Sequence, residues 1–179
     1  MPAFLRLPGV KSEKDFKARC ISCGQCAQVC NYHCVELTPD YPFGPETPKI
    51  FHKKSPCWLC MKCSDICPTD ALRQVKMEDA AMGVAYLDQK KCVDYQEENN
   101  VMCWTCYDRC PMRGKAIVLG SGGFIPEVTE HCVGCGVCEY VCPITAITVT
   151  PARLLPENVS GGKPDKSGNG GSAPAGGER

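Results

Sequence analysis

Long apolar runs are missing from this chain. No stretch reaches the roughly 18 apolar residues that would cross a bilayer as a helix, so nothing in it reads as a membrane span. An excess of either charge is missing too, since 20 Lys and Arg balance 20 Asp and Glu. A nucleic-acid binder is expected to be basic, and this balance argues against one. Aromatic residues make up only 7%. The apolar core is therefore thin, and other bonds must contribute to stability. Met1 to Pro8 lack the charged and apolar regions of a signal peptide. No C-x-x-C-H haem attachment occurs, and Gly120-Ser121-Gly122-Gly123 fails the dinucleotide fingerprint at its last glycine. No residues outside the cysteines meet the requirements of a catalytic site, which argues against independent catalysis.

What the chain does have is cysteine, 17 in 179 residues. The number is odd and the thiols come in triplets, whereas disulfide frameworks favour even counts. Structural zinc favours two C-x2-C pairs rather than a C-x2-C-x2-C run. Cys132, Cys135, Cys138 and Cys142, followed by Pro143, form C-x2-C-x2-C-x3-C-P. That is the run by which bacterial ferredoxins hold a [4Fe–4S] cluster, with the fourth cysteine serving a second cluster. Three further runs accompany it: Cys20, Cys23, Cys26, Cys30; Cys57, Cys60, Cys63, Cys67; and Cys92, Cys103, Cys106, Cys110. Sixteen thiols can supply four cubes with four ligands each, leaving no iron open for chemistry. The pattern points to electron transfer. An enzyme with an open iron is the rival reading, and a protein with purely structural clusters is a third, set apart by a lack of reversible redox activity.

Taken in order, residues 1–19 are a lead-in, with Ser12 capping a short helix and Asp15 at the capping-box position. Val35 to Leu37 reads as a strand. Residues 38–49 hold Pro39, Pro42, Pro45 and Pro48 and predict an irregular loop. Strands are expected at Lys49–His52, Arg73–Met77 and Met82–Leu87, and a helical turn at Pro68–Leu72, while Phe124–Val128 leads into the fourth run and Ile147–Thr150 leaves it. The polar insertion Gln96 to Asn100 separates Cys92 from the rest of its run and reads as a surface loop. Beyond Ser160, Gly, Ser and Pro dominate, and 157–179 is expected to be disordered.

Cys67-Pro68-Thr69-Asp70-Ala71-Leu72 matches Cys142-Pro143-Ile144-Thr145-Ala146-Ile147, so the chain is an internal repeat of cysteine units. Cys34 falls where Ala71 and Ala146 stand, which predicts a packing role, because a free thiol behaves as a small hydrophobe. Asn31 replaces the proline that follows the last cysteine of the other runs, adding a backbone N–H near a cluster sulfur that would raise its potential. Lys62, Arg109, Arg113 and Lys115 lie near ligands and could stabilise reduced clusters, or be ordinary solvated charges. His33, His52 and His131 are expected to be surface or supporting residues rather than ligands.

From Arg6 to Pro156 the chain resembles the MauM/NapG-type polyferredoxins of methylamine-utilisation and periplasmic nitrate reductase systems. The resemblance is carried by Arg6-Leu7-Pro8-Gly9, Cys20-Ile21-Ser22-Cys23-Gly24-Gln25-Cys26, Asp79-Ala80-Ala81-Met82-Gly83, and Cys103-Trp104-Thr105-Cys106-Tyr107-Asp108-Arg109-Cys110-Pro111. It implies an α+β, loop-rich fold of two ferredoxin-like modules within 20–156 and four [4Fe–4S] clusters. It also implies electron relay from a NapH-like membrane quinol-oxidising partner towards a reductase or cytochrome. An alternative is a four-cluster subunit of a molybdenum-type oxidoreductase. Those relatives imply nested pairing: Cys20, Cys23, Cys26 with Cys142; Cys132, Cys135, Cys138 with Cys30; Cys57, Cys60, Cys63 with Cys110; Cys92, Cys103, Cys106 with Cys67. The outer module would then be 20–37 with 124–150, and the inner one 50–119. Spacing alone does not decide the pairing. The resemblance places the protein on the periplasmic side of the membrane. Were the chain complete as given, the lack of a leader would leave it cytoplasmic.

Overall fold

A computed structural model describes residues 4–40, 42, 44–96 and 102–155. The tail at 157–179 and most of the Gln96–Asn100 insertion lie outside the described residues. Ser12 starts α1 (Glu13–Arg19) as its sequence suggests, its Oγ accepting the Asp15 N–H at 3.2 Å. Glu13 and Asp15 occupy the first turn and Lys17 and Arg19 the last, matching the helix dipole. Phe16 is the buried residue of this helix.

The lead-in is built into the fold. Leu5 exchanges both backbone hydrogen bonds with Ile50, at 2.8 and 3.0 Å, and the Arg73 N–H donates to the Gly9 carbonyl at 3.1 Å. Buried Arg6 donates to Glu13, Asp40, Thr47 and the Pro48 carbonyl. Its guanidinium also lies over the rings of Phe4 and Phe16.

The proline-rich stretch forms less loop than its composition suggests. β1 (Val35–Pro39) and β2 (Glu46–Ile50) make an antiparallel hairpin, Val35 opposite Ile50 and Pro39 opposite Glu46. In a two-stranded sheet both strands are edges, where a missing proline N–H is tolerated. Of the described residues here, only Asp40, Pro42, Gly44 and Pro45 lie outside the two strands. The strand expected at Arg73–Met77 is reduced to the single bond to Gly9, and a 3-10 turn follows at Met77–Asp79.

Farther on, β3 (Gly83–Leu87) pairs antiparallel with β6 (Ile147–Pro151), and β4 (Ile117–Gly120) with β5 (Ile125–Val128). Alternation turns Ala85 and Val149 inward and leaves Tyr86 exposed. Four one-turn helices carry cysteines: α2 (Gln25–Gln28), α3 (Lys62–Asp65), α4 (Thr105–Asp108) and α5 (Val137–Val141). The helix thus lies inside each run. The segment after Cys67 is not a helical turn, and its Asp70 has a left-handed φ of 53°.

The halves assemble sequentially, which corrects the nested arrangement. α2 packs on α3 and α4 on α5. The outer module of 20–37 with 124–150 and the inner module of 50–119 do not form. Residues 20–37 stand with 46–72, and 92–119 with 124–150. Two short hairpins are the reason. β1–β2 returns the chain at once from the first run to the second, and β4–β5 does the same between the third and fourth. Closing so short a loop costs less entropy than joining the chain's ends. One apolar cluster runs through both halves, from Leu5, Phe16 and Ile50 to Met82, Val137 and Val149, and takes in most of the cysteines.

Candidate metal centres

Each run is coiled by left-handed residues around its middle cysteine. Ser22 and Gly24 flank Cys23, Leu59 and Met61 flank Cys60, Gly134 and Gly136 flank Cys135, and Trp104 follows Cys103. Left-handed residues alternating with right-handed ones turn successive N–H groups to one side and make a concavity that suits anions, Fe–S sites among them. A second set recurs three residues after the last cysteine, at His33, Asp70 and Thr145. The repeat seen in the sequence is therefore also a repeat of backbone conformation.

Three cavities are ringed by thiols. Cys20, Cys23, Cys26 and Cys67 line one. Cys57, Cys60, Cys63 and Cys30 line another. Cys132, Cys135, Cys138 and Cys110 line the third. In the fourth group, burial raises the Cys92 thiol pKa, and the charges of Asp94, Cys142 and Cys103 raise it further. In each of the three cavities the fourth thiol comes from the adjacent run. Cys142 does not join Cys20, Cys30 does not join Cys132, Cys110 does not join Cys57, and Cys67 does not join Cys92. Among the described residues, no three Cys, His, Asp or Glu side chains close on one point. A ring of thiols around a cavity suits a cube better than a tetrahedral zinc ion.

The thiol chemistry fits such a group. Burial pushes Cys26 up to about 11, and Cys63, Cys106 and Cys135 up to about 12. These thiols ionise near neutral pH only beside a strong positive charge, which cluster iron supplies. Cys67 goes the other way. Burial opposes its ionisation, but backbone N–H groups of Leu72, Thr69 and Ala71 outweigh that and lower its pKa. The Leu72 N–H lies 3.4 Å from Cys67 Sγ, and the Ala146 N–H lies 3.2 Å from Cys142 Sγ. Such donors to ligand sulfur help set cluster potential.

Cys34 is buried, as packing requires, but it also lines the cavity of Cys57, Cys60, Cys63 and Cys30. Its Sγ is 3.5 Å from Cys30 Sγ. A hydrogen bond from Cys34 lowers the Cys57 pKa, and the same bond raises that of Cys34. Ala71 and Ala116 hold the matching places in two other cavities.

Asp94 is a functional residue that the sequence pattern does not single out. Its carboxylate accepts the Cys103 N–H at 2.6 Å and the Trp104 N–H at 3.4 Å, tying the split third run together. Its position two residues after Cys92 is the one available signal. Lys62, Arg109, Arg113 and Lys115 are all exposed, with Arg113 paired to Asp108 and Lys115 to Glu78. That favours the solvated reading. His33 and His131 are exposed, whereas His52 is fully buried.

Neighbouring sets lie close enough to act on one another. Cys26 of the first contributes its charge to Cys63 of the second, Cys57 of the second to Cys135 of the third, and Cys106 of the fourth to Cys138 of the third.

A family model described as a 4Fe-4S dicluster domain matches residues 19–71, spanning the first two runs together. A 4Fe-4S binding domain matches residues 125–148. The ferredoxin-type protein NapG of Escherichia coli is 36% identical over 168 residues, covering 84% of this chain and 71% of that protein. The methylamine utilization ferredoxin-type protein MauM of Methylorubrum extorquens is 36% identical over 167 residues, covering 84% of this chain and 74% of MauM. MauM of Paracoccus denitrificans is 35% identical over 178 residues, covering 91% and 76%. The chain belongs to the NapG/MauM family of ferredoxin-type proteins. Within that family, its 4Fe-4S domains make it an iron–sulfur electron-transfer protein.

Proposed function

We propose that this protein carries four [4Fe–4S] clusters and passes electrons along them in one row. The observation that carries the reading is the set of four thiol groups, each completed by the last cysteine of the adjacent run. In the order of the row, the ligands are Cys20, Cys23, Cys26 and Cys67; Cys57, Cys60, Cys63 and Cys30; Cys132, Cys135, Cys138 and Cys110; and Cys92, Cys103, Cys106 and Cys142. The dicluster match over residues 19–71 supports pairing of the first two runs. The protein's part is to hold the clusters at fixed separations and to set their potentials through burial and hydrogen bonds to sulfur. A chain of one-electron carriers suits the step from a quinol-oxidising membrane partner, NapH-like by family resemblance, to a reductase or cytochrome. The same resemblance places that exchange on the periplasmic side of the membrane. Sequential pairing sets the chain apart from four-cluster subunits of molybdenum enzymes.

Anaerobically purified protein is expected to contain about 16 iron and about 16 acid-labile sulfide per chain, four of each per cluster. Cys20→Ser and Cys67→Ser should damage one common EPR centre, and Cys92→Ser and Cys142→Ser another. Zinc in place of iron would refute the reading. If Cys20→Ser and Cys142→Ser shared a centre, the row of four sets would be wrong.

A further inference from the structure

His52 follows β2 in the first half of the chain, yet its side chain faces the second. It is fully buried, and Nδ1 finds no partner among the described atoms. Nε2 lies 2.9 Å from an oxygen of Glu139, in α5 beside Cys138. A carboxylate only accepts, so Nε2 carries the hydrogen of this bond. The same Glu139 oxygen accepts the Val149 N–H at 2.6 Å, and the other faces Lys53 Nζ at 3.1 Å. Behind the imidazole, Gly136 comes so close that a Cβ there would lie 2.4 Å from His52 Cβ. Gly136 also has φ of +88°, so no other residue fits there without strain.

This contact adjoins the place where the halves touch backbone to backbone. The Cys57 N–H donates to the Cys135 carbonyl at 3.2 Å. Leu59, two residues on, lines the cavity of Cys132, Cys135, Cys138 and Cys110. Cys57 belongs to the second thiol set and Cys135 to the third.

We propose that His52 is the positioning residue for electron transfer between the two halves, clamping the fourth run against the second and so fixing the gap between the second and third clusters. This rests on the four-cluster reading above. The ring fills the space against Gly136, and its hydrogen bond anchors it to α5 through Glu139. Alanine at position 52 would remove both contacts. Glutamine would keep an N–H donor for Glu139 and part of the volume.

The test uses the holoprotein. EPR of partly reduced samples reads the spin coupling between neighbouring centres, and flash reduction followed optically reads the redistribution of electrons along the row. In His52→Ala the coupling of second to third centre should weaken, and redistribution across the junction should slow. Couplings within each half should stay as in wild type, and His52→Gln should recover part of the loss. Unchanged coupling and rate in His52→Ala would overturn the proposal. So would a uniform weakening of all couplings, which would mark a merely structural residue. Should His52→Ala fail to assemble clusters, Gly136→Ala strains the same contact from the other side, and wild-type coupling there would overturn the proposal equally. Failure of the four-cluster reading is distinguishable, because it would appear in the iron content and centre count of the wild type.

Discussion

Removing the iron should cost this protein its fold, and the size of the effect can be worked from the backbone. Seven non-glycine residues in the cysteine segments hold left-handed conformations: Ser22, His33, Leu59, Met61, Asp70, Trp104 and Thr145. Each costs about 1 kcal/mol relative to an ordinary conformation, about 7 kcal/mol together. A domain's whole stability is about 5–15 kcal/mol. The strain is thus of the same order as the margin by which such a protein folds. The sheets are three separate two-stranded pairs, each marginal alone. Once the metal is gone, buried thiols with pKa values raised to about 11 or 12 are neutral at pH 7 and form no strong bond in its place. Anaerobic chelation followed by near-UV circular dichroism and amide exchange is the assay. Fixed tertiary signal should disappear, and the Cys57 and Gly83 amides, which donate to Cys135 and Val133, should lose protection. An apoprotein that kept native protection at those two amides would refute the argument, since the strain would then be held by packing alone.

Arg6→Ala takes the guanidinium from between Glu13 and Asp40. It should destabilise the first half by about 3 kcal/mol, the low end for a broken buried pair, because Lys49 still reaches Asp40 at 3.1 Å. Denaturant unfolding of the holoprotein measures this. Burial of Asp40 works against its charge, but hydrogen bonds from Lys49, Thr47 and Arg6 win and hold its carboxyl well below the ordinary 3.8. A depressed carboxylate stabilises above its unfolded pKa. Its contribution is therefore full at neutral pH and should be lost as pH falls below about 4, a slope that Asp40→Asn should flatten. Cys34→Ala should keep all four clusters but lower the potential of the second centre alone, because a thiol donor to Cys57 and Cys30 is lost. EPR redox titration checks this, and an unmoved potential would leave Cys34 a packing residue.

Some of these features are set by local pattern and are legible in the residues themselves. Ser12 as a helix cap and the strands around Val35 and Val84 are of this kind. The hairpin through Pro39 and Pro48 is not, because proline is excluded from central strands and a sequence does not say which strands are edges. Alignment with Ala71 assigns Cys34 to packing. That is right for its burial, but it misses the contact with Cys30 and Cys57, since Cys57 lies outside the aligned unit.

The kind of group is legible in the residues themselves, because three thiols two residues apart suit one 4Fe–4S cube whatever surrounds them. The family is legible too, through the residues between the cysteines. Which fourth thiol faces which set is a matter of tertiary structure. That depends on which runs are folded face to face, and the β1–β2 and β4–β5 hairpins bring adjacent runs together. The same holds for the role proposed for His52. The partner of His52, Glu139, lies 87 residues away, and a contact that distant exists only once both halves have folded against each other.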